Sequence, residues 1–235
     1  MKIVYLNHSG FAVLGEEITL VFDFYKDTVS DKVGILHNSI LQRKGNFYVF
    51  SSHTHYDHFQ PLILDWKNHK DVQYIFSDDI QCEASSDIHW LKKGEHFQDE
   101  HIKVEAFGST DAGISFAVTM EGKTLFHAGD LNNWHWKEEC EPEIWQGYER
   151  DFLSEINDIK KQLKCVDFLM FPIDPRLGKE YMRGGEQWLQ NIQTKVVAPM
   201  HFGKEYEKAE AFKAIAAHYN TRFFSISKPG DVFML

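Results

Sequence analysis

The stretch SSHTHYDHFQP, residues 51–61, sets three histidines and an aspartate within six residues, directly after the apolar run FYVF. His53 and His55 stand two apart, so in extended backbone both imidazoles project to one side and can hold one metal ion at about 2.0–2.1 Å from nitrogen. Asp57 and His58 follow at once, and a loop turning away from the strand can aim them at a second ion. A histidine-rich polar loop is the plain alternative for any single one of these residues, but it does not account for four ligand types at this spacing. Two later strand-like runs, KTLFHAGD and KVVAPM, end in Asp130 and just before His201. Each brings one more ligand-type side chain to a strand terminus, where a rigid sheet can position function.

The elements that must carry these residues fit one domain spanning 1–235. A chain of 235 residues with 43% hydrophobic and 14% aromatic content can bury a full core. With 25 basic against 35 acidic residues, a net charge of −10 and no Lys/Arg block, it has no extended surface for nucleic acid or anionic membrane. The expected partner is a small-molecule substrate, and homo-oligomerisation is left open. Cys82, Cys140 and Cys165 are odd in number and lack C-x-x-C spacing, which suits packed, reduced thiols rather than a disulfide framework. MKIVYLNHSG turns polar too soon for a signal-peptide core, and no apolar run approaches the roughly 20 residues of a membrane span. The expectation is a soluble, cytoplasmic protein.

Along the chain, KIVYL, FAVL and ITLVFD predict a β-meander over residues 2–23, and NFYVFSS predicts the strand feeding the histidine cluster. DVQYIFSD, HIKVEAF, GISFAVTM and KTLFHAGD are further strands, the last two joined by a hairpin turn at EGK. Apolar residues at three- and four-residue steps predict a helix from Glu149 to Lys164. VDFLMFP is a strand buried on both faces. A helix over Glu186 to Gln193, the strand KVVAPM, the helix KEYEKAEAFKAIAAHY and the strands RFFSIS and DVFML complete an α/β chain without repeats.

The set His53-x-His55-x-Asp57-His58, then Gly-Asp130, then Pro-Met-His201, with roughly 70 residues between pieces, resembles the metallo-β-lactamase superfamily of metal-dependent hydrolases. LNHSGFAV and LVFDF are similar to its opening strands, particularly in the branch of small cytosolic hydrolases that includes L-ascorbate-6-phosphate lactonase. The resemblance implies an αββα sandwich, two mixed β-sheets flanked by helices, with a metal site at one edge. It also implies one or two Zn²⁺ ions, the first held by His53, His55 and a bridging Asp130, the second by Asp57, His58, Asp130 and His201. Such ions lower the pKa of a bound water from 15.7 toward about 7 and polarise a carbonyl or phosphoryl centre, with Asp57 as the catalytic group that orients the nucleophile or carries the proton.

One position departs from that pattern. Where the superfamily has Gly-His-Thr, this chain reads FGSTDAGISF, so Ser109 stands at the position of a metal-binding histidine. Asp111 is a possible substitute oxygen ligand, or else an aspartate bonded to its own turn; oxygen-rich ligation makes Mn²⁺ or Fe²⁺ plausible beside Zn²⁺. Asp23 either accepts a hydrogen bond from a ligand histidine or caps a turn. For substrate binding, Asn132, Trp134 and His135 either roof the site or form a packed loop, and Asp174 and Arg176 leave a buried strand at the same edge, where arginine can clamp a carboxylate or phosphate. His8 sits in a turn that the resemblance brings near the metals, and a structural role serves it equally. His127, out of phase with Asp130, is expected to pack.

A hydrolase of a lactone, ester or phosphoester is the favoured function. A phosphodiesterase or nuclease is opposed by the acidic balance, and a non-catalytic metal-binding descendant has only Ser109 in its favour. If Ser109 leaves the first site under-coordinated, Ser109→His should raise metal stoichiometry or affinity there, measured by zinc calorimetry after chelator treatment. Two tight ions in the wild type would refute that reading.

Overall fold

The computed structural model describes residues 1–28, 34–68 and 70–235. Strand alternation explains the opening meander. In β1 (Lys2–Asn7), β2 (Gly10–Leu14) and β3 (Ile18–Phe22), the side chains of Ile3, Tyr5, Phe11, Val13, Leu20 and Phe22 enter one apolar layer. Their neighbours Val4, Leu6, Ala12, Leu14 and Val21 enter another. This is the two-residue period of a pleated strand with both faces covered, which is why these runs read as continuously apolar. β4 (Asn46–Ser51), β5 (Gln73–Ser77) and β6 (Ile88–Leu91) extend the sheet in parallel from β3.

The second sheet begins with the antiparallel strands β7 (His96–Gln98), β8 (Ile102–Phe107), β9 (Ser115–Met120) and β10 (Lys123–His127). α1 (Ile35–Asn38) lies earlier in the chain, and α2 (Pro142–Gln162) follows β10. β11 (Cys165–Val166) makes a separate two-stranded ladder with β13 (Gln193–Thr194), while β12 (Phe168–Pro172), β14 (Val196–Met200) and β15 (Arg222–Phe223) continue the second sheet in parallel from β10. α3 (Arg183–Asn191) and α4 (Tyr206–His218) separate these strands, and β16 (Val232–Met234) returns to pair antiparallel with β1. The strand orders are β16-β1-β2-β3-β4-β5-β6 and β15-β14-β12-β10-β9-β8-β7.

Two mixed sheets thus pack face to face, as the αββα expectation requires. The outer layers are unequal. α2, α3 and α4 supply Phe152, Ile156, Trp188 and Phe212 to the large core that includes the second sheet. The first sheet is covered by α1 and the 3₁₀ turns Ile40–Gln42 and Pro61–Asn68, through Leu36, Ile40, Ile63 and Trp66. No described helix is long and apolar enough to cross a membrane.

Three expectations needed correction. The long helix begins at Pro142, not Glu149, because its proline-led first turns leave Ile144 49% and Tyr148 41% exposed and so lack an apolar stripe. The short strands β6 and β7 are missing from the sequence reading; both lie at sheet edges, with burial too incomplete to leave a pattern. RFFSIS forms a strand only over Arg222–Phe223. The hairpin at EGK is present, with Met120 paired to Lys123 across Glu121 and Gly122, both at positive φ.

The parallel strands β3, β4, β10, β12 and β14 all end at one edge of the sandwich. Gly129 stands at φ +53° just before Asp130, and a Cβ there would meet Ser52 Cβ at 2.7 Å and the Ile114 carbonyl at 2.9 Å. Gly129→Ala should therefore cost about 1–3 kcal/mol in denaturant unfolding. Gly122→Ala, also at positive φ but with nothing within 4 Å, should cost less.

Candidate metal centre

Each ligand-type residue follows a strand or sits in a turn at this edge. The β1–β2 turn carries His8, β3 leads to Asp23, β4 to His53–His58, β10 to Asp130, β12 to Asp174 and β14 to His201. Backbone bonds hold the loops together: Asp23 N–H donates to Phe50 O at 2.9 Å within the first sheet, and Ile114 N–H to Ser52 O at 2.9 Å and His201 N–H to His8 O at 3.3 Å tie one sheet to the other. His8, Asp23, Trp136 and His201 all take positive φ, a conformation that costs non-glycine residues energy and that concentrates where function constrains the chain.

Asp130 lies at the centre. One carboxylate oxygen, Oδ2, is 3.4 Å from His53 Nε2; the other, Oδ1, is 3.2 Å from His58 Nε2 and 3.5 Å from His201 Nε2. His53, His55 and Asp130 form one group whose ligand atoms lie within 4.8 Å of one another, and His8, Asp57, His58 and His201 form a second. Asp130 faces both.

The opposite nitrogens are already engaged. His58 Nδ1 donates to Asp23 Oδ2 at 2.6 Å, and His201 Nδ1 donates to Asp174 Oδ2 at 2.8 Å. His53 Nδ1 pairs with Ser52 Oγ at 3.0 Å, and that hydroxyl donates to Asp23 Oδ2 at 2.7 Å. Anchoring Nδ1 fixes ring orientation and leaves Nε2 as the lone-pair nitrogen, an arrangement typical of metal-binding histidine. His8 Nε2, His58 Nε2 and Asp130 Oδ1 are buried with no hydrogen-bond partner. Acceptor facing acceptor in a buried site is unfavourable unless a cation or protons intervene, so the donor set fits a metal ion.

Charge reinforces the arrangement. Burial opposes ionisation of Asp23, but His127, His58 and His53 outweigh it and hold the carboxyl well below the usual range. Burial likewise acts to lower His58, yet the charges of Asp23, Asp130 and Asp57 and the Asp23 hydrogen bond raise it to about 9. Burial opposes the Asp57 charge too; contact with His8 and the charge of His58 keep its carboxyl ionised well below the ordinary range.

Beside the two groups opens a cleft of about 530 Å³ that includes Asp57, Asp130, Trp134, Arg176 and His201 in its lining. The residues proposed from the sequence lie at different depths around this cleft. Asp111 lines the cleft but belongs to neither ligand group, and its N–H donates to Ser109 Oγ at 3.3 Å within their own turn. Asn132 is fully buried, with its backbone paired to Thr110 Oγ1 and its Oδ1 accepting from Asn133 N–H. His135 is buried against the Glu180 carbonyl. Of the three proposed roof residues, only Trp134 reaches the cleft, its indole N–H donating to the Asp130 carbonyl at 2.8 Å.

Asp174 stands behind His201 and Arg176. It is 1% exposed, and its oxygens accept from His201 and from Arg176 Nε and Nη2. Those bonds outweigh burial and keep it ionised. Arg176, with its side chain 65% exposed, does reach the cleft. His127 packs against Phe22 and bonds the Ser9 carbonyl. Sequence reading missed Ser52, Tyr56, Thr110, Trp136 and Tyr148; the SS before His53 and the second tryptophan of WHW were the available signals.

No family model matches the sequence, and no curated protein matches it. Among solved structures, the chain is similar to Igni18, a metallo hydrolase of the archaeon Ignicoccus hospitalis, with TM-score 0.67 and 15% identity over 100% of this chain and 98% of that one. It is similar to YhfI, a metallo-β-lactamase fold protein of Bacillus subtilis, with TM-score 0.60 and 11% identity over 99% and 98%. It also matches CmlA, a diiron β-hydroxylase of Streptomyces venezuelae, with TM-score 0.68 and 10% identity, covering 100% of this chain but 54% of that one. The fold is the metallo-β-lactamase fold.

The Asp23–His58 pair gives a pH test. His58 is raised from 6.5 to about 9 in the folded, metal-free protein, so its protonated form contributes stability that is complete below pH 6.5 and lost as pH rises through 9. Chelator-treated protein should therefore melt at falling temperature across that window, and Asp23→Asn should flatten the dependence. A flat wild-type profile would contradict the pairing.

Proposed function

We propose that the protein is a metal-dependent hydrolase acting on a small, anionic metabolite such as a lactone, ester or phosphoester. The observation that carries the reading is the buried carboxylate of Asp130, which faces His53 Nε2 of one ligand group and the unpartnered Nε2 of His58 in the other, with its own Oδ1 left without a hydrogen-bond partner. His53, His55 and Asp130 would hold one ion, and His8, Asp57, His58 and His201, with the second Asp130 oxygen, would hold another. When bound, such an ion supplies Lewis acidity and makes a water acidic enough to ionise near neutral pH.

The chain's own groups do the rest. Asp57, kept ionised, accepts a hydrogen bond from the attacking water and takes its proton in passing. Asp23 and Asp174 hold His58 and His201 in one tautomer. Arg176 gives Nε and Nη2 to Asp174, and its Nη1 makes no hydrogen bond to a described residue, which leaves it for the substrate's carboxylate or phosphate. Trp134 closes the cleft beside Asp130 and limits water.

Histidine-rich ligation suits Zn²⁺, and the carboxylates also accommodate Fe²⁺ or Mn²⁺. Igni18, a metallo hydrolase, shares the fold over its whole length. The resemblance to the branch that includes L-ascorbate-6-phosphate lactonase supports a small anionic substrate and a cytoplasmic setting.

Protein purified without chelator should carry one to two metal equivalents by elemental analysis, and His58→Ala or His201→Ala should remove most of it. His8→Ala should weaken chelator-competed binding roughly tenfold or more. Asp57→Asn, loaded with metal, should lose roughly 10²- to 10⁴-fold in kcat on an ester, lactone and phosphodiester panel. Full metal content in the His58 and His201 variants would overturn the assignment.

A further inference from the structure

The apolar part of the cleft wall has an unusual composition. Among the described residues no Leu, Ile, Val or Met lines it; its large apolar side chains are Tyr56, Trp134, Trp136 and Tyr148. These rings arrive from three separate places: the loop after β4, the loop after β10 and the exposed first turns of α2.

Two of them are costly to leave bare. Tyr56 is 70% and Tyr148 41% exposed, and they are two of the five exposed large apolar side chains among the described residues. Large aromatic surface facing solvent inside a concavity is a mark of a binding wall rather than of scattered surface residues.

The other two are fixed in place. Trp134 is tied to the Asp130 carbonyl and meets His201 edge-on, with centroids 5.5 Å apart and planes at 66°. Trp136 lies nearly parallel to it, 6.3 Å away at 14°. Trp136 also sits at φ +43°, a backbone conformation that a bulky side chain adopts only under constraint. The aromatic wall therefore begins against the ligand histidine and runs outward along the cleft.

We infer that the substrate carries a planar aromatic or heteroaromatic body directly beside the bond that is broken, recognised by this wall. Aromatic rings gain from offset and edge-to-face contacts beyond the area they bury, and a saturated ring of the same size does not. The inference rests on the hydrolase reading only in taking this cleft as the substrate site.

The test compares benzoate with cyclohexanecarboxylate by calorimetry on the protein as purified. Both carry one carboxylate on a six-membered ring, so attraction to a metal or to Arg176 cancels in the ratio. Benzoate should bind at least fivefold more tightly. Tyr148→Leu, on an exposed helix face where folding is not at risk, and Trp136→Leu should each pull the ratio toward one while leaving cyclohexanecarboxylate within about twofold. Equal affinities, a ratio that survives both substitutions, or no binding of benzoate at millimolar concentration would overturn the inference. Neither metal content nor turnover is read here. Equal binding by a protein that hydrolyses the ester panel would sink the aromatic assignment alone, and a metal-free protein would sink the hydrolase reading alone.

Discussion

Three imidazole nitrogens converge on one buried carboxylate, and each of them is an acceptor when its ring is neutral. His53, His58 and His201 direct Nε2 at Asp130 within 3.5 Å, while their Nδ1 atoms are held by Ser52, Asp23 and Asp174. Electrostatics alone would push these groups apart, so the surrounding structure must impose the arrangement. Two ionised carboxylates behind the histidines do so from opposite sides. Asp23 belongs to the first sheet and Asp174 to the second, and each is buried and ionised.

That requirement explains the fold's economy at this edge. Strands with both faces covered cannot shift register without driving apolar side chains out of a layer, so β3, β4, β10, β12 and β14 end at defined heights. Their last residues then need only short loops to reach the centre. Four non-glycine residues there take left-handed backbone, and Gly129 takes it where a side chain would strike Ser52. At the opposite end of the sandwich, the β9–β10 hairpin uses positive φ at Glu121 and Gly122 for chain reversal.

What could be read from the sequence divides along local and non-local lines. His53, His55, Asp57 and His58 announce themselves because four ligand types fall in one short loop, and Asp130 and His201 because each directly follows an apolar strand. The meander and the hairpin were legible for the same reason, since alternation and turn chemistry are properties of adjacent residues. The start of α2 was hidden because its first turns face solvent and the cleft rather than the core. Asp174 looked like a substrate group, since a polar residue leaving a buried strand gives no sign of the histidine 27 positions later that it will support. Asn132 and His135 share a loop with Trp134 yet turn inward, a difference of rotamer and backbone angle that no spacing encodes. His8 joins the second group only through the pairing of two sheets, so its place near the metals came from the resemblance and from no local spacing.

The division of the ligands between the sheets also bears on how the chain reaches its native state. The first sheet contributes His8 and the His53–His58 loop, and the second contributes Asp130 and His201; neither half alone holds a complete group. An intermediate with only one sheet formed would have little affinity for an ion. Cation capture would thus follow docking of the two halves, and a captured ion would act as a clasp across the seam. Because a ligand that binds only the native state raises the whole unfolding free energy, such a clasp would couple fraying at this edge to global unfolding and lengthen the lifetime of the docked sandwich.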